Sequence, residues 1–198
     1  SIETTKIKNI NNLLNKCTRD NIVNIKKEIL DDIKNTIHIS NLIIDNILNK
    51  CILQPQYMDL YIDILKCILE IKQYDINKKI IDMKKIIYIE TNRKNDYDAL
   101  CELNENIDKS ISLSILIVKL ESCKIITNHI DDTISRLFNS IVLDDEDICY
   151  KYIISLYNIF EELDDTYIMK YNTKLNDLKN SKISKKNKFK VMDILEMG

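Results

Sequence analysis

The chain has one glycine, one proline and no tryptophan in 198 residues. The glycine is the final residue, Gly198, so neither a phosphate-cradling loop nor a dinucleotide fingerprint can form, since both need glycines ahead of a helix. So few turn formers also exclude all-β and doubly wound α/β folds, which need many tight turns. An excess of one charge is lacking too: 29 Lys and Arg stand against 31 Asp and Glu, a formal net charge of −2. The whole protein is therefore no polycationic coat for nucleic acid, although local basic patches stay open. Charge-free stretches such as residues 110–118 and 152–160 are far shorter than the ~18 apolar residues of a membrane span. No signal peptide opens the sequence, and the chain reads as soluble and intracellular.

Reactive constellations are missing as well. Cys17, Cys51, Cys67, Cys101, Cys123 and Cys149 lie far apart, form no CxxC pair and sit in or beside apolar helical patterns. They read as buried thiols in a reducing compartment. His38 and His129 have no cysteine nearby and no HExxH spacing, and read as surface or half-buried helix residues rather than ligands or bases. The acid pairs Asp131-Asp132 and Asp164-Asp165 fall at expected helix ends, where capping accounts for them. No catalytic residue, cofactor or metal is implied, and an enzyme is not expected. Heavy use of Ile, Asn, Lys and Asp points to an AT-rich coding sequence, as in some protists or large DNA viruses.

What the chain does have is helical periodicity around its single proline. In residues 42–69, apolar side chains recur at three- and four-residue steps: Ile43, Ile47, Leu48, Cys51 and Ile52 before Pro55, then Tyr57, Leu60, Tyr61, Ile64, Leu65 and Ile68 after it. The proline ring drives Gln54 out of the α region and has no amide to lose at the start of the next helix. This predicts a helical hairpin with one apolar stripe per helix, which needs neighbours to bury both.

Those neighbours are predicted on both sides. Ile7, Ile10, Leu13 and Leu14 mark a helix over 4–15. Thr18 is the expected N-cap of the next, running to about residue 34 on Ile22, Ile25, Ile29 and Ile33. A helix over 76 to about 95 carries Ile80, Ile81, Met83, Ile87 and Tyr88. Polar residues at 91–98 and 104–110 suggest a surface excursion with a short helix at 99–103, before helix returns at 108–123 on Ile111, Ile115, Leu116 and Leu120. Thr127 is expected to cap a helix on Ile130, Ile134, Leu137, Phe138 and Ile141. The acids 144–147 open another on Ile148, Tyr152, Leu156, Ile159 and Leu163. Helices over 165–180 and 184–197 close the chain, the last with Phe189, Met192 and Leu195 inward. The expectation is one all-α domain over 1–198, an α-solenoid of about five HEAT-like hairpins, roughly ten helices.

Four segments carry a resemblance. INNLLNKCT (10–18) and ILNKCILQPQYMDLYIDILKCI (47–68) resemble the first two repeats of the middle domain of eukaryotic translation initiation factor 4G. Lys50, Gln54, Pro55, Tyr57, Tyr61 and Cys67 fall on its pattern. SKKNKFKVMDILEM (184–197) is similar to the closing motif of that domain, S-S-R-I-R-F-M-L-Q-D-V-L-D-L, with Phe189, Asp193 and Leu195 matching. VKLESCKIIT (118–127) is similar to its central G-E-L-F-K-L-K-M-L-T. The chain departs from the pattern at Lys119, where the family has glutamate, at Glu121, where it has an aromatic, and at Lys190 and Met192. The acidic insertion common in the family is shortened around Asn104.

The resemblance implies a cytoplasmic HEAT-repeat scaffold that docks and stimulates a DEAD-box RNA helicase of the initiation factor 4A type, with RNA binding alongside. The residues it singles out for the helicase are Gln54, Gln56, Tyr57, Lys119, Lys124, Phe189 and Asp193. Some have a plainer reading: Pro55 and Tyr57 shaping the hairpin, Lys119 and Lys124 on a solvated face, Phe189 in the core. Lys182, Lys185, Lys186, Lys188 and Lys190 form the densest positive patch, suited to RNA phosphates or simply to a solvated helix start. No Tyr-x-x-x-x-Leu pattern occurs, so a cap-binding-protein site is not expected in this segment. Two other readings stay open: a related adaptor in messenger RNA decay, splicing or nuclear cap binding, and a helical adaptor with no RNA role.

Overall fold

The computed structural model describes residues 2–87 and 97–198. Among them are ten α-helices: α1 Ile2–Asn15, α2 Ile22–Lys34, α3 Ser40–Leu53, α4 Met58–Ile71, α5 Ile76–Ile87, α6 Tyr97–Ser122, α7 Ile130–Ser140, α8 Glu146–Glu162, α9 Asp165–Asn180 and α10 Lys185–Leu195. The fold is all-α. Isoleucine is a modest helix former because its branched Cβ restricts the side chain, so these helices rest on burial more than on propensity. None of the described helices is long and apolar enough to cross a membrane. The chain divides into two compact units, Ser1–Lys79 and Ile80–Gly198.

In the first unit, α1 packs on α2 and α3, and α4 on α2 and α3. Ile10, Leu14, Ile29, Ile33, Ile43, Ile47, Leu48, Leu65 and Ile68 are buried between them. The break at Pro55 is where the sequence puts it. Gln54 leaves the helical region (φ −135°, ψ 61°), and Pro55–Tyr57 makes a single 3₁₀ turn into α4. Cross-helix bonds reveal a register. Glu3 meets His38, Asn11 meets Asn46 and Asn15 meets Lys50, each 35 residues apart. Asp45 then meets Lys79, 34 residues on. A constant difference in number, rather than a constant sum, means that α1 and α3 run parallel and that one hairpin is laid on the next.

The second unit repeats this rule. Lys151 donates to Asp108 and Lys119 to Glu162, both 43 residues apart and about three turns from one another along α6. So α8 runs parallel to α6, and α10 and α9 pack on α8 in turn. Ile134, Leu137, Ile153, Leu156, Phe160, Leu175, Val191 and Ile194 form its interior.

Several expectations are corrected. Residues 104–110 are no excursion: α6 runs through them, because Leu103, Ile107 and Ile111 keep a four-residue step facing inward while the polar residues look outward, and no Gly or Pro interrupts. Thr18 does not cap α2. Asn21 precedes that helix, and its side chain takes the Thr18 amide and donates to the Lys16 carbonyl. His129, not Thr127, precedes α7. Ile81 and Tyr57 point to solvent, and Cys101 and Cys123 are exposed rather than buried. The expected helix end near 95, Tyr88 and the polar stretch at 91–96 lie outside the described residues. The ends of α8 and α9 agree closely with expectation. Asp145 and Asp164 cap them by accepting the Ile148 and Thr166 amides.

Candidate functional site

The first unit holds one group of the singled-out residues, at the turn between α3 and α4. Gln54 is spent on structure, its Oε1 accepting the Tyr61 hydroxyl. Gln56 is exposed, and Tyr57 is 42% exposed with its ring edge-on to Tyr61 at 6.4 Å. Leu53 beside them is 65% exposed. The stripe pattern alone did not mark it, since it sits one residue beyond the buried Ile52 on a helix whose next turn is cut off by proline.

In the second unit, the turn from α6 to α7 is built from unusual conformations. Lys124 has φ 61° and Asn128 φ 64°. The Lys124 amide bonds to the Glu121 carbonyl and the Ile125 amide to the Leu120 carbonyl, a Schellman ending in which Lys124 occupies the position usually given to glycine. Glu121 then reaches over the turn, where its carboxylate accepts the amides of Asn128, His129 and Ile130. Negative charge at these otherwise unsatisfied donors suits the start of α7. The departure at Glu121 thus has a structural use. Lys124 is exposed at this turn, whereas Lys119 is tied to Glu162 at 2.8 Å on the last turn of α8.

Behind the turn, Lys84 on α5 is almost fully buried. Its ammonium lies 2.7 Å from Asp132 and 3.4 Å from Nδ1 of His129. Burial and the Lys84 charge hold the His129 imidazole below its ordinary range. Burial alone would raise the Asp132 carboxyl, but Lys84 and Arg136 together outweigh it and hold it low. Next to it, Lys170 keeps Asp131 low, and Tyr171, which donates to that carboxylate, is pushed up to about 12 by burial and the carboxylate's charge. His129 is therefore a buried structural residue, not the half-exposed one expected. Asp131 and Asp132 bind cations rather than cap α7.

The closing helix overturns another expectation. Asn187, Val191 and Ile194 face the interior of the unit, with the Asn187 amide donating to the Glu146 carbonyl at 3.3 Å. Phe189 is 63% exposed and Met192 39%. Residues 189, 192 and 193 share the opposite face at three- and four-residue steps, so an aromatic, a thioether and the Asp193 carboxylate stand together in solvent. Asp193 is 3.2 Å from Lys190.

The lysine patch splits in two. Lys182 and Lys185 are exposed. Lys186 lies over the Tyr150 ring, 3.6 Å from its centre, and Lys190 over the Tyr157 ring at 3.2 Å. Lys188 is half-buried. The two tyrosines, seven residues apart on α8, carry a visible sequence signal that the apolar stripe obscured.

Cys17, Cys51 and Cys149 are buried, and burial pushes their thiols up, so they are poor nucleophiles. Among the described residues no three His, Cys, Asp or Glu side chains come together to hold a metal ion. Compared with known proteins, the chain matches no family model, no curated sequence and no solved structure.

Proposed function

We propose that this chain is a non-enzymatic translation-initiation scaffold, an α-solenoid that binds and stimulates a DEAD-box RNA helicase of the initiation factor 4A type and contacts RNA. The solenoid reading is supported by the register of bonds between every second helix in both units. The helicase reading is supported by the four segments that resemble initiation factor 4G. One observation carries it: Phe189, the aromatic of the closing motif, is not consumed by packing but stands exposed beside Met192 and Asp193. Aromatic residues, Phe included, and Met are enriched at protein interfaces relative to the rest of the surface. A scaffold that prefers one arrangement of the two helicase lobes shifts the helicase population towards it and so raises turnover.

The test is the RNA-dependent ATPase rate of a cognate helicase with and without the full chain. The rate rises on addition, and Phe189→Ala and Asp193→Ala each reduce the rise by several-fold. Because both side chains are exposed, the unfolding free energy of each variant in a urea titration stays within about 0.5 kcal/mol of the parent's. No rise and no binding in micromolar titration would sink the initiation reading.

A further inference from the structure

The lysines at 186 and 190 do not simply point into water; each sits on the face of a tyrosine. Tyr150 and Tyr157 are half-buried on α8, two turns apart, which separates them by ~10 Å along the helix. Lys186 and Lys190, one turn apart on α10, cover them. Lys151 next to Tyr150 is tied to Asp108, and Lys182 and Lys185 stand exposed just before and at the start of α10. Two carboxylates touch the same face. Asp193 holds Lys190, and Glu161 accepts the Tyr157 hydroxyl at 3.3 Å.

Resting on the reading that this chain contacts RNA, we propose that Tyr150 and Tyr157, overlaid by Lys186 and Lys190, form a platform for single-stranded RNA. Each tyrosine offers a flat ring to one unstacked base, and the lysine that covers the ring moves aside to a backbone phosphate. The exchange is favourable in kind. For the exposed Lys186 an ammonium on an aromatic face is a weak contact, whereas a phosphate offers it a full opposite charge; Lys190 must also leave Asp193 and gains less. Stacking on aromatic side chains with lysines along the backbone is the general chemistry of single-strand binding. A duplex is refused because its bases are already stacked on each other. Asp193 and Glu161 add repulsion for phosphates at one end, so the strand is drawn towards the side of Lys182 and Lys185.

The experiment is fluorescence anisotropy of a fluorescein-labelled oligouridylate of about twelve nucleotides, a length within the span of single-strand grooves, titrated with the full chain beside an RNA duplex of equal length. The single strand binds, and the duplex binds at least tenfold more weakly. The paired change Tyr150→Ala and Tyr157→Ala weakens binding by about tenfold or more, while the Tyr→Phe pair, which keeps both rings, binds as the parent does. Should the alanine pair melt early by circular dichroism, the Tyr→Leu pair, apolar but without a ring, takes its place and shows the same loss. Lys186→Ala and Lys190→Ala each reduce the slope of log affinity against log salt by about 0.7. Binding that ignores loss of both rings, or that is equal for duplex, overturns the platform and leaves the phosphate contact standing. No binding of either RNA overturns the platform and the RNA reading together.

Discussion

Among the described residues, the unit Ser1–Lys79 buries two polar side chains, Thr36 and Ser40, whereas the unit Ile80–Gly198 buries eight: Lys84, Ser110, Ser112, Ser114, His129, Thr133, Ser155 and Asn187. The stacking rule is shared, yet the interiors differ. In the first unit the polar bonds that set the register lie on the surface and between flanks, over an interior made largely of isoleucine and leucine. In the second, an ammonium, an imidazole and an amide are inside. Some are satisfied locally, as when Ser110, Ser114 and Thr133 donate to carbonyls four residues back. Ser155 Oγ and Asn187 Oδ1 have no hydrogen-bond partner among the described residues. A hydrophobic interior is held by area, and each void weakens it. A polar one is held by pairing, and each orphan weakens it. Most of the singled-out residues belong to the unit with the polar interior.

The largest effect is expected in the apolar interior. Leu65→Ala removes a fully buried side chain from the first unit and is expected to cost ~2–5 kcal/mol. Hydrogen exchange read by mass spectrometry should show protection lost within residues 2–79. An equal loss in the second unit would mean that the interiors are not independent. Next in size is Asp132→Ala, which leaves the buried Lys84 ammonium without its carboxylate. Breaking a fully buried pair costs ~3–5 kcal/mol; Asp132 is half exposed, so about 2–3 kcal/mol is expected in a urea titration. A loss near zero would show that water reaches Lys84 and that this interior is less closed than its burial indicates.

A smaller effect sharpens the contrast through pH. The native His129 binds its proton below the ordinary value of 6.5, so the unfolded chain takes up the proton first as pH falls. The stability this group contributes is therefore full above about pH 6.5 and is lost as pH drops below it, by at most ~1.4 kcal/mol per pH unit. Asp131 and Asp132 are also held low, but from an ordinary value of 3.8, so their contributions persist through this window and fade only in stronger acid. His129→Gln should flatten the decline in melting temperature between pH 7 and 5. An unchanged decline would assign it to other groups.

How much of this was legible follows the same divide. The hairpin at Pro55, the acid-led starts of α8 and α9 and the isoleucine stripes of the first unit could all be read, because a fixed φ, a capping carboxylate and an apolar period each act locally. The phase of α10 could not. Phe189, Met192 and Leu195 make an apolar series at three-residue steps, but only Leu195 of the three packs on the interior, which takes Asn187, Val191 and Ile194, since Asn187 finds a carbonyl on α8 that no local pattern announces. The cap of α7 was hidden likewise, as Glu121 is seven to nine residues from the amides it holds. The polar stretch in α6 misled because outward polar residues and a loop have the same composition, and only the four-residue step from Leu103 to Ile111 separates them. For the candidate site, the lysines and Phe189 were found by type. The tyrosines beneath the lysines and the exposure of Phe189 belong to tertiary packing.

Lys124 allows the gentlest and most discriminating change. Its left-handed conformation costs a residue with a Cβ about 1–2 kcal/mol, and glycine is free of that cost. Glycine also widens the unfolded ensemble, which returns ~0.5–1 kcal/mol. Lys124→Gly should therefore stabilise the chain by roughly 0.5–1 kcal/mol in a urea titration, with the Glu121 cap behind it undisturbed because that cap uses amides 128–130. If the variant is more stable yet the proposed helicase stimulation falls, the strain is retained for a contact, as strained positions at functional sites often are. If stability rises and stimulation is unchanged, Lys124 is a solvated turn residue, and the contact must be sought on α10 and at the α3–α4 turn.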